Sequence, residues 1–159
     1  MNKLFILIFL CFAFTACADN AANNKIFAKK ATDNSVMEVN IGGQNLKLLA
    51  VQSDAAKAKG LSDRDNVPED GMIFFFDYPA PLAFWMKDMR FALDMVWING
   101  AEVESITKNA MPQPGAKDKD LKIYSPLLYA DTVIELKAGD ADKYGIQPGS
   151  VFIIRRIEK

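Results

Sequence analysis

The sequence predicts a mainly β domain, folded as an antiparallel sandwich or a jelly-roll-like barrel with two short helices. Three observations favour this class. About seven to nine short apolar runs recur at close spacing, turn signals separate them, and no helices alternate with them as in a βαβ fold. The length of 159 residues suits one domain, and 50% hydrophobic with 25% charged residues is typical of a globular protein.

The N-terminus has the features of an export signal. Lys3 gives a positive start, and residues 4–14 form an unbroken apolar segment that is too short to span a bilayer. Residues 1–16 are therefore expected to be a signal peptide. Two small residues precede Cys17, an order that resembles a lipobox, in which the Cys is lipidated. Cleavage after Ala18, which gives a free secreted protein, is the alternative.

Composition restricts the chemistry of the chain beyond the signal. Residues 17–34 are polar and lack periodicity, so we expect a flexible tether there and a single β-rich domain over 35–159. Cys11 is expected to leave with the signal, so no intramolecular disulfide can form. The chain lacks His, and its net charge is −1. We therefore expect no cofactor or metal, no nucleic-acid partner, and membrane contact only through a lipid anchor.

The first elements of the domain are a predicted hairpin and a predicted helix. Residues 37–41 alternate between apolar and polar, and residues 46–51 return after the turn at 42–43. Ser53 is a suitable N-cap and Gly60 a suitable stop for a short helix.

A strand that is buried on both faces is predicted next. Residues 72–76 form a continuous apolar run, and Pro79 and Pro81 are expected to keep the following loop out of any central strand. Residues 83–86 are expected to begin another short strand.

The second half predicts four further strands and a second short helix. Asn99 and Gly100 both tolerate positive φ, which makes them the strongest hairpin signal in the chain. The predicted elements are, in order, a strand over 95–98, a returning strand over 101–106, a long polar loop over 109–120, a strand over 132–136, a helix from its cap Asp140 to Gly145, and a last strand over 151–157.

Several short motifs occur in a characteristic order. They are Lys59-Gly60-Leu61, Pro68-x-Asp70-Gly71-Met72-Ile73-Phe74, Phe84-Trp85-Met86-Lys87-Asp88, Leu93-Asp94, Tyr124-Ser125-Pro126, Gly139 and Gly145-Ile146-x-Pro148-Gly149. This order resembles the family known as domain of unknown function 192, over about residues 36–157. The chain departs from the family pattern at Ala92 and Ser150, where the family usually has Pro and an acid. The resemblance implies a compact, mostly β fold similar to a jelly roll, and it implies no activity.

The Trp85 segment is the first candidate for function. In a strand, Trp85 and Lys87 share one face, while Met86 and Asp88 share the other. The functional interpretation is a platform: an aromatic face for a sugar ring or acyl chain, and a cation for a carboxylate or phosphate. The structural alternative places Phe84 and Met86 in the core, with the Lys87 stem across a half-buried Trp85.

Asp94 lies in an apolar context, where an ionised carboxylate needs a partner. It is expected to pair with Lys87 or Arg90, or to accept hydrogen bonds from loop N–H groups. A sharper hypothesis joins Asp94 to Asp70 as the acid/base pair of a hydrolase that works without His.

Two further groups complete the candidates. Ser125 would need a base to act as a nucleophile, so Tyr124 and Pro126 are expected to fix a turn around it. The acidic loop over 63–70 fails the EF-hand pattern, and a capped turn is expected there instead of a calcium site.

These residues favour an exported, lipid-anchored domain of the cell envelope that is not an enzyme. It would bind a small molecule, a glycan or another envelope component. The candidate binding residues are Trp85, Lys87, Asp94, Asp70, Asp88, Tyr124 and Ser125, and Cys17 is the candidate lipidation site. The alternatives are the carboxylate-dependent envelope hydrolase and a domain that binds a partner protein through the loop over 111–120.

Overall fold

The computed structural model describes residues 3–158, without the side chains of residues 3–15 and 17. The side chains of Cys17 and of most of the predicted signal peptide therefore lie outside the described part. Among the described residues, no helix is both long enough and apolar enough to cross a membrane. The elements are, in chain order, α1 (Lys3–Lys30), β1 (Val36–Ile41), β2 (Gln44–Val51), α2 (Asp54–Lys59), β3 (Gly71–Ala80), β4 (Leu93–Asn99), β5 (Glu102–Ala110), a 3-10 turn (Asp118–Asp120), β6 (Ala130–Lys137), α3 (Asp140–Lys143) and β7 (Phe152–Glu158).

The described residues form one seven-stranded sheet in the order β5-β4-β6-β3-β2-β1-β7. The prediction of a mainly β domain is confirmed. The expectation of a purely antiparallel sheet is wrong, because β2 and β3 pair in parallel. A parallel pair needs a crossover connection, and α2 with its flanking loops provides one.

The sequence predicts a sandwich or a jelly-roll-like barrel. The observed sheet is not closed into a barrel, and a sandwich is not confirmed. In the part of the chain that the structure describes, the two edge strands, β5 and β7, meet at one end only. There Glu102 bridges Val151, and the Val103 N–H donates to the Ser150 carbonyl over 3.0 Å. Beyond this contact the edge strands do not pair along their lengths.

The two predicted short helices are present as α2 and α3. The Ser53 hydroxyl accepts a hydrogen bond from the Ala56 N–H over 3.2 Å, and Gly60 ends α2 with a φ of +47°. Gly139, and not Asp140, occupies the cap position of α3. The described residues contain a third helix, α1, which was not expected.

The sequence predicts a flexible tether over 17–34. In the structure, the C-terminal part of α1 occupies this segment and is hydrogen-bonded to the domain. The Asn24 amide donates to the carbonyls of Gly100 and Phe152, over 3.1 and 3.0 Å. Its oxygen accepts the Ile154 N–H over 2.8 Å. The apolar residues that pack beside Asn24 follow a helical spacing: Phe27, Ala28 and Ala31.

The segment after β3 differs from its prediction. Pro79 belongs to β3, at a point where the pairing with β6 shifts register, so its missing N–H disturbs no ladder. Residues 83–86 are not a strand. They form one isolated bridge, from Phe84 to Tyr124, and cross over the sheet instead of joining it.

Alternating residues of β3 supply two cores on opposite faces of the sheet. Ile73 and Phe75 join the core that packs against α1. Met72 and Phe74 join the core on the other face, which is covered by Leu61 and by the segment over 82–91. We call the second one the loop-covered face.

Candidate functional site

A carboxylic acid lies in the middle of the loop-covered face. Glu135 of β6 is the register partner of Met72 on β3 and of Met95 on β4. Register partners point to the same face of a sheet, so Glu135 faces the core built by these methionines. Its side chain is buried, with the residue 5% exposed.

A cavity of about 210 Å³ lies between the loop-covered face and its covering segments. The sheet contributes its base, the end of α2 one wall, and the segment around Trp85 the other. Its principal lining residues are Lys57, Lys59, Ser62, Phe74, Phe76, Phe84, Trp85 and Glu135. We call it the Glu135 cavity.

Phe84 fixes the aromatic wall of the cavity. Its ring meets Phe74 edge to face with centroids 5.2 Å apart, and it meets Trp97 in the same way at 5.4 Å. Edge-to-face pairs of this kind are favourable and hold the rings in place. Trp85, next to Phe84, is 47% exposed and stands at the mouth of the cavity.

The Glu135 carboxyl has no hydrogen-bond or ion-pair partner among the described residues. Burial, without an opposing charge or donor, raises the pKa of Glu135 to about 8. The group is therefore a neutral acid at pH 7. It offers the cavity one O–H donor and one free acceptor oxygen.

A cation lies at the rim of the same cavity. The Lys57 ammonium is 4.9 Å from the centroid of the Phe76 ring, so it sits over the ring face. Lys59, also on α2, forms an ion pair with Asp63. The site thus combines rings, a buried acid and rim cations.

Of the residues that the sequence singled out, Trp85 lies at this cavity, whereas Lys87 and Asp88 shape the turn after it. The Lys87 ammonium is 2.6 Å from an Asp118 carboxylate oxygen, and this hydrogen bond raises the pKa of Lys87. Asp88 has a φ of +54°, and its carbonyl accepts the Asp63 N–H over 2.9 Å. Because residues 83–86 are not a strand, the expected face shared by Trp85 and Lys87 is not formed.

Asp94, on β4, holds the end of β5 and the start of α3 in place. It is 1% exposed, and its two oxygens accept N–H groups of Asn109, Gly139 and Ala141 over 2.9, 2.9 and 3.1 Å. The expected role as an N–H acceptor is thereby confirmed, whereas the expected pairing with Lys87 or Arg90 is not formed, because these cations pair with Asp118 and Asp65. All of its contacts are structural.

Asp70, the other member of the expected acid pair, is also bonded to the backbone. Its carboxylate accepts the Lys47 N–H over 2.9 Å. In the acidic loop, Asp65 forms an ion pair with Arg90. These carboxylates therefore stabilise the loop through partners within the chain.

Tyr124 and Ser125 lie beside a different depression. Tyr124 is buried, its backbone bridges Phe84, and the Lys122 ammonium lies 4.6 Å from its ring centroid. Ser125 and Ile123 border an open depression of about 600 Å³. Tyr124 thus supports the aromatic wall from behind, through Phe84.

Glu135 is the residue that sequence reasoning missed. Glu135 is the one acid in the run Val133-Ile134-Glu135-Leu136, whose other members are apolar on both faces of the strand. An acid in that position faces the interior whichever way the strand is turned. That property was readable from the sequence, whereas the cavity in front of the side chain was not.

Together, these features define a class: a mainly β domain with a small aromatic cavity that has an unpaired carboxylic acid at its base. A family model described as an uncharacterised ACR, DUF192, matches residues 36–154. The chain belongs to this family. No curated protein matches it significantly.

Two solved structures share the fold. A proposed transcription regulator from Sinorhizobium meliloti 1021 is 25% identical, with a TM-score of 0.67 over 78% of this chain and 97% of that one. A protein of unknown function from Novosphingobium aromaticivorans DSM 12444 is 27% identical, with a TM-score of 0.65 over 74% of this chain and 84% of that one.

Proposed function

We propose that the chain is an exported, lipid-anchored envelope domain that binds a small molecule in the Glu135 cavity without catalysing a reaction. The unpaired carboxyl at the base of the cavity is the observation that carries the proposal. A polar group that lines a cavity and has no partner within the protein is free to bond a ligand there. Perturbed acids in clefts are for this reason candidates for binding sites.

The size of the cavity limits the ligand. Its 210 Å³ is below the roughly 300 Å³ at which pockets for drug-sized ligands begin. It therefore accepts a small molecule, or one end of a larger envelope component that leaves past the exposed Trp85.

Fluorescence tests the binding proposal, because the chain has two tryptophans, Trp85 at the mouth and Trp97 in the core. The purified chain is titrated with amines, sugars, murein fragments and lipid head groups. We expect a saturable change with one of these classes, and its loss in Trp85→Phe. Saturable binding that leaves the emission of Trp85 and the resonances of Glu135 unchanged would place the ligand elsewhere and contradict the proposal.

Labelled palmitate tests the anchor in cells. We expect incorporation into the wild-type chain, and none into Cys17→Ala. Cys11→Ala is the matched control, because this cysteine lies within the signal and should leave labelling intact. Labelling that persists in Cys17→Ala would contradict a lipid anchor at this residue.

The hydrolase alternative receives no support from the carboxylates it needs. Asp94 is enclosed and its oxygens accept three backbone N–H groups, so it has no access to a substrate.

We do not propose a role in transcription, although one structural relative is described as a regulator. The net charge of −1 gives this chain no basic footprint for DNA.

A partner-binding role is the second candidate, and a different surface favours it. Leu127 and Leu128 are 82% and 69% exposed, and their N–H groups are held by the Glu104 carboxylate. Fixed, exposed apolar residues are typical of contact surfaces. Capture of an envelope protein that is lost in Leu127→Ser but kept in Ile123→Ser would support it; equal capture by both variants would contradict it.

A further inference from the structure

The Glu135 cavity separates opposite charges. Glu135, from β6, is the only acid that lines it among the described residues, and it lies at the base. The lining cations, Lys57 and Lys59, come from α2 at the rim, and Lys59 is already paired with Asp63. A ligand therefore meets positive charge on entry and an unpaired acid at the bottom.

The aromatic wall is suited to a cation. Phe76 already carries the Lys57 ammonium over its face at 4.9 Å, which shows that a ring at this cavity accepts positive charge. Phe74, Phe84 and Trp85 add apolar contact around the same space. Rings of this kind attract substituted ammonium groups through their negative faces, while the carbon substituents gain from burial.

The acid at the base distinguishes among ligands. A neutral guest leaves the Glu135 carboxyl in its protonated form, because nothing then stabilises the anion in a buried site. A positive group at contact distance stabilises the carboxylate and lowers the pKa of Glu135. The proton of the acid is then released to the solvent as the cation binds.

We propose that the Glu135 cavity binds the substituted ammonium group of a small organic cation or zwitterion, with the Glu135 carboxylate as its counter-ion. If the ligand is a zwitterion, its acidic group lies at the rim, beside Lys57. This inference rests on the proposed ligand-binding function and names the chemistry of the ligand.

Calorimetry with matched probes tests the charge requirement. Choline and its uncharged carbon analogue, 3,3-dimethyl-1-butanol, have the same shape and differ in charge. At about pH 6.5, in two buffers that differ in ionisation enthalpy, we expect choline to bind the purified chain at least about tenfold more tightly. Choline binding should release close to one proton at this pH and far less at about pH 9. Equal affinities, or choline binding without proton release at the lower pH, would overturn the inference.

Variants separate the roles of the charges. Glu135→Gln should lower the affinity for choline at least about tenfold and abolish proton release. The affinity for the carbon analogue should not change, which shows that the cavity is intact. Glu102→Gln, at an exposed acid, is the matched control. Lys57→Gln should lower the affinity for phosphocholine, whose phosphate would lie beside Lys57, and leave the affinity for choline unchanged.

The two proposals fail in different ways. If the carbon analogue binds as tightly as choline, and Trp85→Ala abolishes this binding, the ammonium assignment is overturned. The proposal of a ligand-binding cavity then stands. If neither probe binds, the ammonium assignment is also overturned, and the broader titration with other ligand classes then decides the proposed function separately.

Discussion

Glu135 stands directly beside Met72 in the sheet, as its register partner across β3 and β6. Met95 flanks the same acid on the other side, so the carboxyl interrupts a row of apolar side chains. A row of this kind normally packs against a second apolar layer. Here the layer leaves a cavity in front of the acid, and the proposed binding site depends on that arrangement.

The stability of the folded chain should depend on pH through Glu135. Burial raises the pKa of Glu135 from 4.5 to about 8, so the folded chain keeps a proton that the unfolded chain releases. The stabilisation from this proton is complete below about pH 4.5 and is lost progressively as the pH rises through 8. We expect the free energy of unfolding to fall by about 3 kcal/mol between about pH 5 and pH 8, measured in urea.

The absence of His makes this pH range clean, because no other side chain with an ordinary pKa titrates there. Glu135→Gln should abolish the fall in the free energy of unfolding between about pH 5 and pH 8, and Glu102→Gln should retain it. A wild-type chain with equal stability at both ends of the range would show that Glu135 is already ionised when folded.

Asp94 should matter for stability through its three N–H donors. In Asp94→Asn the amide replaces one acceptor oxygen with a donor that faces backbone N–H groups. We expect a loss of about 2–4 kcal/mol in the free energy of unfolding, since hydrogen bonds to a charged group are lost and donors are left unpaired. Asp120→Asn, at an exposed acid, is the control and should unfold at the wild-type urea concentration. Near-wild-type stability in Asp94→Asn would mean that the three N–H groups find other acceptors.

Asn24 should control how firmly α1 is held. Asn24→Ala removes the hydrogen bonds that join α1 to Gly100, Phe152 and Ile154. We expect faster hydrogen exchange over residues 19–30 and unchanged exchange in β3 and β6, because α1 contacts mainly the edge strand β7. Asn23→Ala loses a single bond of 3.4 Å and should behave like the wild type. Unchanged exchange in Asn24→Ala would show that Phe27 and its apolar neighbours hold the helix without the amide.

Local chemistry explains which parts of the fold were predictable. The hairpin at Asn99-Gly100 and the helix between Ser53 and Gly60 depend on turn and cap residues that act over a few positions. The sequence therefore predicts both correctly. The parallel pairing of β2 with β3 depends on where a long crossover returns, which no local pattern contains.

Short apolar runs were the main source of error. Residues 83–86 have the composition of a strand, but they cover the sheet as a loop, and a run of this length fits both structures. The helical spacing that begins at Asn24 was hidden in a polar composition. Of the candidate binding residues, Trp85 lines the cavity, whereas Lys87 pairs with Asp118 and Asp94 accepts backbone N–H groups.

The titration of the Glu135 carboxyl carbon by NMR, in a chain with labelled glutamate, tests the proposed site at its chemical centre. We expect a midpoint near pH 8 in the free chain, and a marked shift of this resonance when a ligand from the fluorescence titration binds. The Glu102 resonance, from an exposed acid, should not respond to the ligand. A Glu135 resonance that titrates near 4.5 and stays unmoved by every ligand that binds would contradict a binding site built around a neutral, buried acid.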